Sequence, residues 1–130
     1  MNAKELIEYC AASIPNLGIV GETLFFSFMP DSPDACITVY DTGGWQPSPY
    51  LPRKDPTFQF RFRAADYDAA QSLIKRIADY FVPEGIPKNC FPIGSEFIQL
   101  AQPMQAAPFC LGYDQNNQIV FTWNFTFIIH

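Results

Sequence analysis

The sequence predicts an α+β fold in which a mostly antiparallel sheet packs against two helices. Two segments carry apolar residues at helical spacing, several others alternate between apolar and polar residues as strands do, and a long proline-rich arm interrupts the first half. The predicted order of elements is α-β-β-β-α-β-β-β. The length of 130 residues suits a single domain over 1–130, with the arm at 41–56 inserted between strands.

The two predicted helices span 2–14 and 66–81. Asn2 stands three residues before Glu5, which resembles a capping box, and Asp66 is a good N-cap for the second helix. Pro15 ends the first helix, and a proline and a glycine at 83 and 85 end the second. Each helix has one apolar stripe, so both are expected to cover the sheet. The stripes are Ala3, Leu6, Ile7, Cys10 and Ile14, and Ala70, Leu73, Ile74, Ile77 and Phe81.

Three strands are predicted before the second helix, at 23–28, 36–40 and 57–63. The third alternates most clearly, since three phenylalanines on one face alternate with Gln59, Arg61 and Arg63 on the other. The aromatic face is expected to be core. The arginine face is expected to meet solvent, an acidic partner or the lumen of a ring.

The second half of the chain is predicted to begin with a loop over 83–96, because prolines and a glycine recur there. Strands are then predicted at 97–102, 109–113 and 119–129. The turn at 114–117 is rich in Asp and Asn, which tolerate the left-handed backbone that hairpins need. In the long final strand the odd-numbered residues from Ile119 to Ile129 are all apolar, so they are expected to share one face.

The arm is the most informative segment. Asp41 to Gly44 is predicted to be a turn after a strand, and 45–56 then holds four prolines that stiffen it into an extended chain. Trp45 and Tyr50 supply apolar anchors, whereas a disordered linker is usually poor in aromatics. The arm is therefore expected to lie on another surface, although both aromatic side chains could instead fold back over the domain's own core.

Composition excludes several classes of function. The net charge is −5 and only 8 residues are Lys or Arg, with no basic run, so direct nucleic-acid binding is not expected. No apolar stretch is long enough for a membrane span, and acids stand where a signal peptide would be apolar, so the chain is expected to stay in the cytoplasm. Because only 16% of residues are charged, part of the apolar surface is expected to be an interface.

No catalytic motif and no cofactor site is found. The four cysteines lack C-x-x-C spacing and are expected to be small buried hydrophobes, with a zinc site that also uses His130 as the alternative. Asp31, Asp34 and Asp41 could offer oxygen ligands to a hard cation, but turn-forming roles beside Pro30 and Pro33 are favoured. The protein is therefore not expected to be an enzyme.

Several segments together resemble a known family. They are Phe28–Asp34, Val39–Gly44, Pro56–Arg63, Asp66–Ala70 and Leu111–Gln118, followed by a strand that contains Trp123-Asn124-Phe125. In this order and spacing they resemble the bacteriophage minor capsid protein family of long-tailed phages and prophages, whose members look like tail terminator, or tail completion, proteins. The resemblance covers almost the whole chain.

The resemblance implies a structural protein of the virion tail, assembled in the host cytoplasm, that forms a hexameric ring on the tail tube. Its partners would be further copies of itself, the tail tube protein and the head connector protein, with DNA passing through the ring. It brings no catalytic residues. The expected assembly residues are Asp41, Gly43, Gly44, Trp45, Tyr50, Arg61 and Arg63. A small cytoplasmic adaptor or a head–tail neck protein that binds through the arm without forming a ring is the alternative.

Overall fold

A computed structural model of the protein describes residues 1–129. Helix α1 spans Ala3–Ser13 and helix α2 spans Tyr67–Phe81, with a short 3-10 turn at Pro83–Gly85. The predicted caps are both present, since Asn2 Oδ1 accepts from the backbone N–H of Glu5 at 2.9 Å and Asp66 Oδ1 accepts from that of Ala69 at 2.8 Å. Each helix therefore begins where the sequence predicts.

Seven strands form one sheet, and the α+β prediction is confirmed. In chain order they are β1 (Leu24–Phe26), β2 (Cys36–Gly44), β3 (Pro56–Ala64), β4 (Asn89–Ile93), β5 (Glu96–Pro103), β6 (Phe109–Tyr113) and β7 (Ile119–Ile129). Their spatial order is β1-β2-β3-β7-β5-β4, and β6 pairs with β7 beside β5. Only the β1–β2 pair is parallel. Strand β7 thus lies at the centre of the sheet. It pairs with β3 on one side, and with both β5 and β6 on the other side.

One strand was not predicted. The segment 83–96, expected to be a loop, contains β4, which pairs only with β5 among the described strands. A proline is tolerated on such an outermost strand, because its missing N–H can face away from the ladder, and Pro92 is placed in this way. The predicted order is otherwise kept, with β4 added before β5.

The prediction of a turn at Asp41–Gly44 is wrong, because these residues are the last four of β2. They continue the pairing with β3 through a local irregularity between Asp41 and Gly44. Gly43 has a φ of 91° and Gly44 a φ of 141°, values that suit glycine and let the strand bulge without ending. The arm therefore starts at Trp45 and ends at Asp55.

The core lies between the helices and one face of the sheet. All six odd-numbered residues of β7 are buried, as predicted, and so are the three phenylalanines of β3. Phe81 of α2 is central, with ring centroids 5.9 Å from Phe60 and 5.7 Å from Phe127. Such aromatic contacts add to the free energy gained by removing apolar area from water. Both helices contribute buried residues to this one cluster.

The opposite face of the sheet is polar, and the register arranges its side chains in rows across the strands. Thr38 of β2 stands beside Arg61 of β3, which stands beside Thr122 of β7. The next row along the strands joins Tyr40, Gln59 and Asn124 in the same way. We call this surface the polar face.

Candidate functional site

The root of the arm is fixed by backbone hydrogen bonds. The N–H of Trp45 donates to the carbonyl oxygen of Asp55 at 3.0 Å, which closes the arm into a loop. A Cβ added at Gly44 would lie 2.7 Å from the same carbonyl oxygen, closer than real Cβ contacts allow. Gly44 is therefore needed because the two ends of the arm approach each other closely.

The C-terminal end of the arm is joined to the central strand β7. Lys54 and Ile129 exchange both backbone hydrogen bonds, at 2.9 Å and 2.8 Å. The Arg53 guanidinium also pairs with the Asp55 carboxylate at 2.9 Å, and this bond raises the pKa of Arg53. The root is thus an extension of the sheet rather than a free loop.

Trp45 combines the two roles that the sequence left open. Its indole Nε1 donates to Oγ1 of Thr126 at 3.2 Å, so one edge of the ring is bound to the protein's own sheet. The side chain is nevertheless 59% exposed. A tryptophan held in place yet mostly open to solvent offers a rigid apolar contact to another molecule.

The tip of the arm is ordered locally but contacts little else. Ser48 Oγ accepts hydrogen bonds from the backbone N–H groups of Tyr50 and Leu51, at 3.2 Å and 3.3 Å. Tyr50 is 89% exposed and Leu51 is 56% exposed. The predicted aromatic anchor at Tyr50 therefore projects away from its own domain.

Asp41 has an internal contact that the sequence did not reveal. Its Oδ1 accepts a hydrogen bond from the backbone N–H of Ala3 at 2.9 Å, which ties the first turn of α1 to β2. The first N–H groups of a helix lack partners within the helix, so an acceptor supplied from a strand satisfies one of them. A contact across 38 residues cannot be inferred from local spacing.

Arg63 does not face solvent or a partner as predicted, since it is only 3% exposed. Its guanidinium donates to the backbone carbonyl oxygens of Pro33 at 2.7 Å and Asp34 at 3.4 Å. The segment before β2 folds across this end of the polar face, and a buried cation there requires such acceptors. Arg63 thus holds that segment onto the sheet.

Arg61 is half-buried on the polar face. Its Nη2 donates to Gln59 Oε1 at 3.0 Å, and its guanidinium carbon lies 5.2 Å from the centre of the Tyr40 ring. Burial raises the pKa of Tyr40, and the positive charge of Arg61 opposes that rise. Of the two predicted arginines, Arg61 is the one with surface left for a partner.

The predicted site residues form two groups rather than one. Asp41, Gly43, Gly44 and Trp45 gather at the arm end of β2, where Gly44 pairs with Pro56. Arg61 and Arg63 lie farther along β3, beside Thr38 and Cys36. The arm and the arginines therefore belong to different parts of the subunit.

Sequence reasoning missed the exposure of β6. Phe109, Leu111 and Tyr113 are 45%, 52% and 62% exposed, although the strand itself was predicted correctly. No signal in the sequence indicated this exposure, because a short apolar run without alternation is typical of a strand buried on both faces. Leu111 and Tyr113 line a cavity of about 210 Å³, which we call the β6 groove. The other residues that line it are Arg61, Gly112, Asp114 and Val120.

The cysteines and acids form no metal site among residues 1–129, where no cluster of three His, Cys, Asp or Glu side chains is found. Cys10 and Cys36 are buried as predicted, but Cys90 and Cys110 are exposed. Asp34 accepts a hydrogen bond from Gln118 and Asp41 caps α1, so two of the three aspartates proposed for a cation already have partners in the protein. His130 lies outside the described residues. No helix in the described chain is long and apolar enough to cross a membrane.

Comparison with known proteins identifies the family. A family model described as bacteriophage tail terminator protein matches residues 15–130, which is most of the chain. The chain belongs to the bacteriophage tail terminator family. This is a structural family of the phage tail, and the resemblance seen in the sequence is confirmed. No curated protein matches the chain.

Solved structures support the fold of this terminator. Four chains are similar to it. One of them, which carries only a sequence identifier as its name, is 12% identical with a TM-score of 0.55, and the match covers 98% of this chain and 89% of that chain. At this identity the likeness concerns the fold alone.

Proposed function

We propose that this terminator assembles into a closed ring that caps the end of the tail tube and presents a surface to the head connector. The family match supports a role at the tail end. The ring is expected to have six subunits, as the resemblance in the sequence implies. Its partners would be copies of itself, the tail tube protein and the head connector protein. The ring would assemble in the host cytoplasm and remain in the virion tail.

The observation that carries the assembly proposal is the fixed arm with an exposed aromatic tip. The root of the arm is bound to β7 through Trp45 and Lys54, whereas Tyr50 at the tip is 89% exposed. An anchored segment loses less conformational entropy on binding than a free loop does. Aromatic side chains are also enriched among residues that dominate binding energies. The arm therefore suits a contact with another subunit or with the tube.

The charge of the protein supports a passive passage for DNA. The net charge is −5, so a ring of these subunits would not attract phosphates overall. DNA would pass through the ring without being held by it. No chemical step is part of this function.

Two measurements test the proposal. Light scattering across a concentration series should give a discrete multimer near six subunits, and the purified protein should restore intact tails when added to lysates of a terminator-deficient phage. Electron microscopy would then show tails of uniform length joined to heads. A protein that stays monomeric and leaves tails unjoined would contradict the proposal and favour a cytoplasmic adaptor.

A position on the head side alone would instead indicate a neck protein. This outcome is distinguishable, because a terminator should bind purified tails in the absence of heads. Binding to heads but never to tails would overturn the assignment to the tail end.

A further inference from the structure

The polar face contains three buried polar atoms that lack hydrogen-bond partners within residues 1–129. They are Oγ1 of Thr38, Nε of Arg61 and Oγ1 of Thr122. The register places these residues side by side in one row across β2, β3 and β7. Thr38 is 0% exposed and Thr122 is 1% exposed, so neither hydroxyl is freely solvated. An unpartnered polar atom in such a position is costly, which singles out this row.

The row adjoins an apolar rim. Arg61 lines the β6 groove together with Leu111 and Tyr113, and Phe109 stands beside Thr122 in the register of β6 and β7. The surface therefore combines the half-buried cation of Arg61 with exposed aromatic and aliphatic side chains. None of the three salt bridges found in residues 1–129 involves Arg61.

The arm has the complementary chemistry. Prolines 47, 49 and 52 have no backbone N–H, and the N–H groups of Tyr50 and Leu51 already donate to Ser48. What the tip can offer is mainly carbonyl oxygens, which accept hydrogen bonds, and two exposed apolar side chains. The tip is bent rather than extended as predicted, since residues 49–52 form bends and the N–H of Arg53 donates to the carbonyl oxygen of Leu51 at 2.8 Å. It would therefore enter a groove as a turn that presents Tyr50 and Leu51.

The arm and the groove lie apart on the subunit. The arm leaves the sheet where Gly44 pairs with Pro56, whereas the groove is bordered by Val120, which pairs with Arg63 farther along β3. No arm residue lines the groove. Two complementary but separate surfaces on one subunit are what a head-to-tail contact between identical copies requires, and such contacts can close into a ring.

We propose that the arm tip, residues 48–52, of one subunit binds the β6 groove of its neighbour, with Arg61 donating to arm carbonyl oxygens. This inference rests on the proposed ring and adds to it the surface that receives the arm. Both threonines of the Thr38–Arg61–Thr122 row are buried, so Arg61 is the member of the row that meets the arm. Tyr50 and Leu51 pack against the rim formed by Phe109, Leu111 and Tyr113.

Cross-linking tests the contact directly. Leu111 lines the groove and is exposed, so thiols placed at the arm tip and at position 111 would be brought together by the proposed contact. In a background that carries Cys90→Ser and Cys110→Ser, the double variant Leu51→Cys, Leu111→Cys treated with a short bis-maleimide should give a ladder of covalent oligomers that ends at the ring. The matched control keeps Leu111 and should give no ladder. Equal cross-linking in both proteins would overturn the proposal.

Substitutions test the energetics. Arg61→Gln and Tyr50→Ala should each weaken subunit association by roughly tenfold to a hundredfold, as expected for losing one strong contact. Lys4→Gln removes a charge from an exposed position on α1 and should leave association unchanged. Because Tyr50 is almost wholly exposed, its replacement should not affect folding, and an unchanged unfolding midpoint would verify this.

The outcomes separate this inference from the proposed function. If the natural protein forms rings and restores tails while the Arg61 and Tyr50 variants do so equally well, the arm does not bind the groove but the ring stands. If the natural protein assembles neither in solution nor on tails, both proposals fail.

Discussion

The indole Nε1 of Trp45 donates a hydrogen bond to Oγ1 of Thr126 at 3.2 Å, across 81 positions of the sequence. This bond joins the first residue of the arm to the central strand of the sheet. Because the same indole is mostly exposed, it is positioned by the subunit's own fold and still free to contact a neighbour. Trp45 thus couples the stability of the arm root to the proposed assembly contact.

Removing either partner of this bond should have the same effect. We expect Trp45→Phe and Thr126→Val each to lower the free energy of unfolding by about 0.5–1.5 kcal/mol, and the double variant to lose less than the sum. Urea denaturation gives the free energy of unfolding of the natural protein, the two single variants and the double variant. Thr122→Val is the control, because Thr122 Oγ1 has no partner in the described chain, and this change should be neutral or stabilising. Strictly additive losses would argue against a direct bond.

Asp41 should contribute to stability through α1 rather than through a partner. Asp41→Ala removes the acceptor for the N–H of Ala3 and should cost about 1 kcal/mol of unfolding free energy. Asp41→Asn keeps an acceptor oxygen and should lose less. Denaturation curves with ring mass measured in parallel would distinguish the roles, since a loss of rings at unchanged stability would place Asp41 in the interface instead.

The two arginines of β3 should behave differently. Arg63→Met removes the donors to Pro33 and Asp34 and should lower the free energy of unfolding by about 1.5–3 kcal/mol. The segment around residues 29–35 should also become more sensitive to limited proteolysis. Arg61→Gln is the matched comparison on the same strand and should leave that segment protected. Equal protection of the segment in both variants would show that Arg63 does not hold it.

The protein should lose stability under alkaline conditions. Burial raises the pKa of the Cys10 thiol in the folded state. In the unfolded state the thiol loses its proton at about pH 8.5, whereas the folded state retains that proton. Stability is therefore full below that pH and falls as pH rises towards the folded-state pKa. Tyr9, whose pKa is raised mainly by burial and also by its hydrogen bond with Tyr80, acts in the same direction at higher pH.

Cys10→Ala should reduce this dependence. Its free energy of unfolding, measured by urea denaturation in steps of pH, should fall less steeply above about pH 8.5 than that of the natural protein. Below about pH 7 the two curves should run parallel, offset by the packing lost with the thiol. Parallel curves throughout the alkaline range would show that Cys10 is not the titrating group.

The sequence predicted what depends on local pattern. Alternation in β3 and β7 gave the faces of both strands correctly, and Asn2 and Asp66 marked the starts of both helices. These features follow from side-chain spacing alone. Strand β4 was missed because prolines and a glycine indicate a loop, and only its place at the edge of the sheet makes a strand compatible with Pro92.

The site was harder to predict because it depends on contacts between distant segments. Alternation placed Arg61 and Arg63 on the same face, but the burial of Arg63 results from a segment about 30 residues earlier folding over it. Likewise, Asp-Thr-Gly-Gly is typical of a turn, and its strand conformation depends on continued pairing with β3. The exposure of Tyr50, in contrast, agrees with the expectation that the arm reaches beyond its own domain.

The position of β7 has a consequence for synthesis. This strand follows all others in the chain, yet it pairs with β3, β5 and β6 at the centre of the sheet. Until it emerges from the ribosome, the nascent chain has three separate pieces of sheet, namely β1–β3, β4–β5 and the unpaired β6. The phenylalanines of β3 then lack their contacts with Phe125 and Phe127. Such intermediates attract chaperones and aggregate easily. The subunit should therefore become competent for assembly only after translation of β7, so that incomplete chains are kept out of the proposed ring.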